Sequence, residues 1–344
     1  MLCRTCRTPI TDELKPCPVC SSAPGAAHRA AQRHRAPSRA RFGDSLGALG
    51  FLAPNIIGFL AFTAIPIVAA FLLSFVRWDA IESWQGIRWV GTENYAHILG
   101  FHHEGARLVA NDDGFWSYLY NTAFLMLGIP IGMALSLLTA LLLNQKLRGI
   151  VFFRTLFFLP TVCSAVAVAV LWRWIYDADQ GLLNILLRGA GVTNPPDWLG
   201  DTAWAKPALI LMGLWTGVGG YNCILYLAGL QGVSVELYEA AELDGAGSLQ
   251  KLLYITWPSL APTTFFILIM SIISGFQGHF VAIHILTGGG PAGATTNLLY
   301  YIYENAFSWH NMGYACALAM VLFALVFIFT LANFKVARRA TQPI

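Results

Sequence analysis

Six long stretches of this sequence contain no Asp, Glu, Lys or Arg: 45–76, 114–145, 155–172, 207–235, 252–303 and 305–334. A transmembrane helix needs about 20 apolar residues, and a charge at its centre costs roughly 2.5–3.5 kcal/mol. Five stretches are long enough. The remaining one, 155–172, is flanked by Arg154 and Arg173, whose long side chains reach the membrane surfaces. The pattern predicts an all-α polytopic membrane protein.

The stretch 252–303 holds one span, because Pro258 and Pro262 precede it and a Gly-Gly-Gly-Pro turn at 288–291 follows it. We therefore predict six transmembrane helices, near 48–76, 118–143, 152–175, 207–231, 260–285 and 312–334. Only 11% of the residues are charged, against roughly 25% in soluble domains. This composition excludes a typical soluble enzyme, a disordered chain and a secreted disulfide scaffold.

The distribution of Lys and Arg predicts the orientation. Alternate connecting segments, 1–45, 144–154, 232–259 and 335–344, hold 15 of the 21 basic residues. The positive-inside rule places these segments, and with them both termini, in the cytoplasm. The N-terminal segment supplies 8 of the 15, and without it the count is 7 against 6.

The N-terminus carries a double cysteine pair with the spacing C-x2-C-x10-C-x2-C, formed by Cys3, Cys6, Cys17 and Cys20. Four thiolates on two such knuckles suit one tetrahedral zinc ion. We predict a zinc-ribbon-like tail over 1–20, with disulfides, free thiols or iron as the alternatives. Residues 21–45 predict a flexible basic linker that lies on anionic headgroups rather than on nucleic acid.

The cytoplasmic segment 232–259 predicts two short helices joined at a glycine. Ser234 stands where a helix N-cap is expected, and Glu236 and Glu239 follow at the positive end of the helix dipole. Gly245 is placed to end this helix in a left-handed conformation, and a second helix near 247–256 leads to Pro258. The residues alone leave two interpretations open, a docking surface for another protein or an interfacial re-entry into the next span.

The spacing of Glu239-Ala240-Ala241, three residues, Gly245, nine residues and Ile255-Thr256-Trp257-Pro258 resembles the EAA loop of ABC importer permeases. Trp257 stands where that family commonly has Leu. The segments LAGLQGVSVELYEAAELDGAGS, TGGGPAGATTNLLYYIY and NTAFLMLGIPIGMALSLLTALLLN resemble the sugar-importer branch, the maltose and glycerol-phosphate type. The resemblance covers about 46–336, so the permease domain excludes the cysteine tail and the cytoplasmic end 337–344.

The resemblance implies a subunit without a catalytic site of its own, in a prokaryotic inner or plasma membrane. It implies a second permease chain, a cytoplasmic ATPase dimer that uses the ATP, and an extracellular solute-binding protein that delivers a carbohydrate; glycerol phosphate or another polyol is the alternative substrate. It places the ATPase contact in the 232–259 loop, at Glu239, Ala240, Ala241, Asp244, Gly245 and Pro258.

Polar and aromatic residues inside the fourth and fifth spans are the candidates for the substrate path, because sugars offer apolar faces to aromatic rings and hydroxyls to amides. They are Trp215, Tyr221, Asn222, Ser271, Ser274, Gln277, His279 and His284. The resemblance adds that Tyr221 falls where the maltose permease has an aromatic contact. Helix packing or an interfacial aromatic belt is the structural alternative for each residue.

Three other functions compete with an importer subunit. A membrane enzyme would need an intramembrane carboxylate pair, a metal cluster or a nucleophile with its base, and the spans hold none. A proton- or sodium-coupled carrier usually needs intramembrane acids. A zinc-sensing membrane regulator would use the cysteine tail and leave the 232–259 loop unexplained.

Overall fold

The computed structural model describes residues 42–79, 81, 86–105, 107–145 and 148–340, and the side chains of 50–335 within these ranges. The predicted zinc ligands Cys3, Cys6, Cys17 and Cys20 lie outside the described residues, as does the linker up to residue 41. The last four residues of the predicted linker, 42–45, already belong to the first helix.

The described chain divides into two compact units, one that ends at Ile67 and one that begins at Val68. The first unit contains helix α1, Phe42–Phe59, and a π-helical turn at Leu60–Ala64. This turn leads into α2, Ile65–Leu73, which continues into the second unit.

The second unit holds the other described elements, with π-helical turns at Leu252–Thr256, Ile283–Thr287 and Glu304–Ser308. In chain order these elements are β1 Val76–Arg77, β2 Arg88–Trp89, α3 Glu93–Leu99, β3 Phe101–Glu104, β4 Arg107–Ala110, α4 Asp113–Leu125, α5 Gly128–Leu143, α6 Ile150–Val162, α7 Ala165–Ile175, α8 Leu182–Gly189, α9 Thr202–Gly217, α10 Tyr221–Gln231, α11 Val235–Leu243, α12 Ser248–Lys251, α13 Trp257–Ser259, α14 Ala261–Gln277, α15 Phe280–Ala282, α16 Leu298–Tyr303 and α17 Met312–Ala340.

Four segments of the described chain are long and apolar enough to cross a membrane as helices: Gly50–Leu73, Asp113–Leu143, Ala261–Thr287 and Met312–Lys335. The count reaches six if each of two bent helix pairs forms one span. These positions confirm the predicted first, second, fifth and sixth spans. The last helix extends to Ala340, beyond the predicted end at 334.

The predicted third span, 152–175, is wrong as one continuous helix. Its two halves, α6 and α7, meet at an angle of 97°. Cys163 and Ser164 both have extended backbones there, with ψ of 146° and 135°. Ser164 occupies the N-cap position of α7, a place that serine favours.

The predicted fourth span, 207–231, begins earlier and is bent by 42° between α9 and α10. Gly219 lies at the break, pressed against the backbone of α6. A Cβ atom at this position would come within 2.0 Å of the Phe157 carbonyl oxygen. The bend therefore occurs where the absence of a side chain lets another helix approach the backbone.

The predicted all-α class needs a small addition between the first two spans. β1 pairs with β2, and β3 pairs with β4 in a hairpin with Phe101 opposite Ala110. These short antiparallel pairs lie in the segment 77–117, which the sequence predicts to be an outer loop.

Three groups of buried side chains form the core of the second unit. One joins α7, α9 and the turn at 283–287 around Tyr176, Leu209 and Ile283. A second joins α4, α14, α16 and α17, and a third joins α5, α10 and α14. Helix α14 contributes to two of these groups, so its position is tied to most of the bundle.

Candidate functional site

A cavity of about 210 Å³ lies between α4, α5, α9, α10 and α14. Four of the residues predicted for the substrate path line it: Asn222, Ser271, Ser274 and His279. The Asn222 side-chain amide donates a hydrogen bond to Ser271 Oγ over 3.3 Å, which joins α10 to α14. The predicted polar residues of the fourth and fifth spans therefore converge on a shared space.

A second cavity, of about 580 Å³, opens beside the break between α6 and α7. Gln277 and His279 line it together with Thr161 and Thr216. His279 and Gly213 border both cavities, so the imidazole stands where the two spaces meet.

His279 has an unusual backbone for a residue with a side chain. Its φ is +66°, in the left-handed region, and it separates the end of α14 from the start of α15. Its Nε2 atom lies 3.3 Å from where a Cβ of Gly213 would be, so the ring rests against α9. Its Nδ1 atom is buried without a hydrogen-bond partner. An unusual backbone at a polar cavity wall marks His279 as a functional candidate.

The other three predicted path residues do not line these two cavities. Trp215 is 44% exposed and packs edge-to-face against Trp172, with ring centroids 5.7 Å apart. Tyr221 is exposed at the start of α10. His284 stacks on Phe280 at 5.9 Å. In this conformation the two cavities are therefore lined by the predicted amide, hydroxyl and imidazole groups near 222 and 271–279, and not by these three residues.

Sequence reasoning missed polar groups from other helices. Ser136 of α5 is buried at the first cavity and donates a long hydrogen bond of 3.5 Å to the Gly217 carbonyl. Thr161 and Thr216 border the second cavity. The available signal was a single hydroxyl group in an apolar span. Such a hydroxyl often donates to a carbonyl of its own helix instead, as Thr161 does to the Phe158 carbonyl.

The segment 232–259 folds as the sequence predicts, into α11, a glycine turn and α12. Gly245 has a φ of +80°, which confirms the predicted left-handed end of the helix. The Ala246 amide donates to the Ala241 carbonyl over 2.8 Å and the Gly245 amide to the Glu242 carbonyl over 3.1 Å. This pair of bonds is the Schellman arrangement that closes a helix C-terminus.

The other end of α11 differs in detail from the prediction. Ser234 is the N-cap residue, but its side chain caps no backbone amide and instead donates to the Glu236 carboxylate over 3.0 Å. Glu239, Ala240, Asp244 and Pro258 are exposed, and Ala241 is half-buried. The predicted ATPase-contact residues are therefore mostly on the surface of this chain.

Two side-chain contacts link the two halves of this loop. Lys251 Nζ donates to the Glu242 carboxylate over 2.7 Å, and this hydrogen bond, with the charge of Lys251, lowers the pKa of Glu242. The Tyr238 hydroxyl is 2.8 Å from Thr256 Oγ1, which lies at the entry to α13 and α14. This contact joins α11 to the start of the fifth span.

The loop also exposes large apolar side chains. Leu243 is 90% exposed and Tyr254 is 77% exposed. Val235, Leu237 and Leu249 are each at least half exposed. Clustered apolar exposure beside polar residues marks an interaction surface.

Comparisons with known proteins agree with this architecture. Residues 119–342 match the family described as "Binding-protein-dependent transport system inner membrane component". The probable ABC transporter permease protein YesP of Bacillus subtilis is 35% identical over 295 residues, 85% of this chain and 90% of YesP. The lactose transport system permease protein LacF of Rhizobium radiobacter is 33% identical over 302 residues, 87% of this chain and 96% of LacF.

Among solved structures, a chain of a bacterial ABC transporter involved in the import of the acidic polysaccharide alginate has the same fold. The TM-score is 0.72 at 24% identity, over 86% of this chain and 96% of that chain. The family match begins inside α4 and spans every described helix from α5 to α17, with the whole of the 232–259 loop. This chain is a multi-pass membrane protein that belongs to the family of binding-protein-dependent transport system inner membrane components, the ABC transporter permeases.

Proposed function

We propose that this chain is a permease subunit of an ATP-driven importer of a carbohydrate. It forms the translocation path with a second permease chain, takes substrate from an extracellular binding protein and is driven by a cytoplasmic ATPase dimer. The relative named for lactose transport supports the substrate class. The chain forms part of the translocation path and provides the 232–259 loop as the contact with the ATPase. The ATPase hydrolyses the ATP.

The observation that carries this proposal is the form of the 232–259 loop. Its first helix ends in a left-handed glycine, and both of its helices expose apolar side chains to the surroundings of this chain. In this loop the ion pair between Lys251 and Glu242 links α12 to α11. A loop that only led back into the membrane would not need such a link. A surface of this kind suits a cleft on the ATPase, where Glu239 would meet basic groups.

The contacts inside the chain supply a route for coupling. ATPase closure moves α11, and the Tyr238–Thr256 contact passes that movement to α14. Helix α14 carries Ser271, Ser274 and Gln277, and His279 follows two residues after its end, so a displacement of the helix changes the cavities directly. Such a switch is a two-state equilibrium that ligands on both faces bias.

The path cavities hold hydrogen-bonding groups suited to sugar hydroxyls. Asn222 and Ser271 offer an amide and a hydroxyl on facing helices, and His279 adds a ring nitrogen without a protein partner. The surrounding wall is apolar, with Leu125, Ile129 and Leu214. Few polar groups in an apolar wall are the usual composition of a small-molecule site.

Both termini and the 232–259 loop are proposed to be cytoplasmic. Ser248 of the loop and His103 of the β3–β4 hairpin are both exposed, so they make a matched pair for labelling. In a cysteine-free background, an impermeant thiol reagent applied to intact cells should label a cysteine at 103 and not at 248. The reverse result would overturn the orientation and the coupling argument.

The central experiment compares two charge reversals in the assembled transporter. Glu239→Lys should weaken co-purification of the ATPase and lower uptake by about tenfold or more. The new ammonium group would face the basic groups of the ATPase that the Glu239 carboxylate is proposed to meet. Glu104→Lys, in the exposed hairpin, is the control and should leave ATPase association unchanged. Full coupling in Glu239→Lys, with normal chain levels in both variants, would contradict the proposed role of the loop.

A further inference from the structure

A third cavity, of about 420 Å³, lies apart from the two path cavities. It is built by residues from 77–78, 93–97 and 305–314, at the end of the bundle that the sequence predicts to be outside. Its wall includes Arg77, Glu93, His97, Asn305, Trp309 and Asn311. Its size falls in the range of roughly 300–1,000 Å³ that is typical of small-molecule sites.

Two buried asparagines make part of this wall rigid. Asn94 is 7% exposed, and its side-chain nitrogen donates to the Ser74 carbonyl over 2.9 Å and the Val76 carbonyl over 3.0 Å. Asn305 is 2% exposed, and its nitrogen donates to the Tyr301 carbonyl over 2.9 Å. Because both nitrogens are engaged within the protein, each amide has its oxygen left as a hydrogen-bond acceptor.

A buried carboxylate fixes the hydrogen-bonding role of His97. Asp112 is 7% exposed and accepts a hydrogen bond from the Tyr314 hydroxyl. The Tyr314 oxygen lies 3.2 Å from His97 Nδ1. Since the Tyr314 proton goes to Asp112, the oxygen accepts from Nδ1–H, and the Nε2 atom of a neutral His97 is a further acceptor.

The remaining wall is aromatic and electrically balanced. Trp309 is 50% exposed and lies edge-to-face on Tyr301, with centroids 5.9 Å apart, so an indole face is held in place beside the cavity. Arg77 is paired with Glu93 at 2.6 Å. Of the described wall residues these two carry the fixed charges, and their pairing disfavours a phosphorylated or acidic ligand.

We propose that this cavity is an outer subsite for a neutral carbohydrate, distinct from the path between α10 and α14. The acceptors of Asn94, Asn305 and His97 suit sugar hydroxyls, and Trp309 suits the apolar C–H face of a sugar ring. The subsite holds one end of the substrate at the outer face before it enters the path. This inference rests on the proposed function, which supplies the substrate class.

The test uses the assembled transporter in proteoliposomes, with the seven cysteines of this chain replaced. Uptake of lactose, maltose and cellobiose first identifies a transported sugar. A single cysteine is then placed at Asn311, in the wall, or at His103, in the hairpin, and alkylated by an impermeant maleimide without binding protein. Sugar at twice its Kd should slow labelling at 311 by about threefold, since a third of the sites stay free, and should not slow labelling at 103.

Two further arms separate this subsite from other causes of protection. Trp309→Ala should abolish the protection at 311, Trp309→Phe should retain it, and glycerol 3-phosphate should give none. Unchanged labelling at 311 up to about 20 mM of a transported sugar, well above a millimolar Kd, would overturn the subsite and leave the proposed function standing. Protection by sugar-free binding protein alone would overturn it in favour of a protein contact. If none of the sugars is transported, the proposed function fails and the subsite falls with it.

Discussion

The loop before helix α14 and the turn after it differ in how far their side chains are exposed. The 232–259 loop, before the helix, exposes large apolar side chains such as Leu243 and Tyr254. The turn at 288–297, after the helix, is largely enclosed, and Thr295, Thr296 and Asn297 are each at most 2% exposed. Both loops contain glycines in the left-handed region, so backbone flexibility is not what distinguishes them.

The turn at 288–297 satisfies its polar groups within the chain. Thr295 Oγ1 donates to the Gly290 carbonyl over 2.8 Å, and the Asn297 amide donates to the Gly278 carbonyl over 3.0 Å. From α4, the Asn121 amide donates to the carbonyls of Gly293 and Thr296 over 3.0 and 2.9 Å. The turn at 288–297 thus has hydrogen-bond partners for these groups within the chain. The 232–259 loop, in contrast, presents exposed apolar side chains that another protein can cover.

The contrast assigns different tasks to the two ends of the same helix. The enclosed turn at 288–297 fixes one end of α14, and in the proposed function a partner at the other end moves the start of the helix relative to that fixed end. The following changes test this division, from the largest expected effect to the smallest.

Asn121→Leu should destabilise the whole chain. It removes both hydrogen bonds to the turn and the contact with Lys206 Nζ at 3.0 Å. The Gly293 carbonyl keeps the Thr296 amide as its donor, whereas the buried Thr296 carbonyl loses the Asn121 amide, so we expect a loss of about 1–3 kcal/mol. The measurement is the apparent melting temperature of the detergent-solubilised protein. Asn333→Leu, which removes one exposed bond within α17, is the control and should change it little. Equal melting temperatures would show that the turn does not anchor the bundle.

Gly245→Val should uncouple the transporter without unfolding it. Nothing lies within 4 Å of a Cβ at this position, so the cost is backbone strain at a φ of +80° rather than a clash. A strain of about 1–3 kcal/mol would distort the end of α11. We expect normal chain levels, weaker ATPase co-purification and loss of uptake.

Gly247→Ala is the matched control for this change. Its φ is −71°, and the nearest atom to its Cβ would be Gln250 Oε1 at 3.7 Å. It should retain uptake. Loss of coupling in both variants would point to the surface of the turn instead of its backbone conformation.

Tyr238→Phe should weaken coupling moderately. It removes the hydroxyl that contacts Thr256 Oγ1 at 2.8 Å, while Thr256 keeps its bond to the Lys251 carbonyl at 3.3 Å. A loss of about 0.5–1.5 kcal/mol corresponds to about two- to tenfold lower substrate-stimulated ATP hydrolysis. Thr256→Val should cost less in the Tyr238→Phe background than in the native chain, because the shared contact is already lost and only the bond to the Lys251 carbonyl remains to be removed. Fully additive losses would exclude this contact as the link to α14.

Glu242→Gln should alter only a small pH dependence. The hydrogen bond and charge of Lys251 lower the pKa of Glu242. The pair therefore stabilises the loop fully at pH values above the ordinary pKa of a glutamate. This stabilisation is lost as the pH falls through the lowered pKa. The protection factors of residues 243–251, which are exchange rates corrected for the intrinsic effect of pH, should therefore fall at acidic pH in the native chain and depend less on pH in Glu242→Gln. Glu239→Gln, at an exposed residue of the same helix, should keep the native profile.

Much of the fold of the 232–259 loop was predictable because its determinants are local. The positive φ of Gly245 follows from a glycine at the end of a short helical pattern, and α12 follows from the residues after it. The side chain of Ser234 was harder to predict, since Glu236 competes with the backbone amides as its partner. The predicted zinc tail stays a prediction.

The lining of the two cavities beside α14 was only partly predictable. Sequence reasoning identified Asn222, Ser274, Gln277 and His279 as polar residues in apolar spans, and the fold brings them to the cavities. The same criterion also selected Trp215, Tyr221 and His284, which face elsewhere. Polarity within a span says that a residue needs a partner, but not which helix provides it.

By itself the sequence determined where the chain is apolar enough to cross a membrane and where a helix must end, because charge, hydrophobicity and glycine conformation act over a few residues. The tertiary structure alone decided the 97° break at 163–164 and the left-handed backbone of His279. It also decided the contact of Gly219 with the Phe157 carbonyl. These features depend on which surfaces meet across long sequence separations, and packing chooses among backbone conformations that are close in local energy.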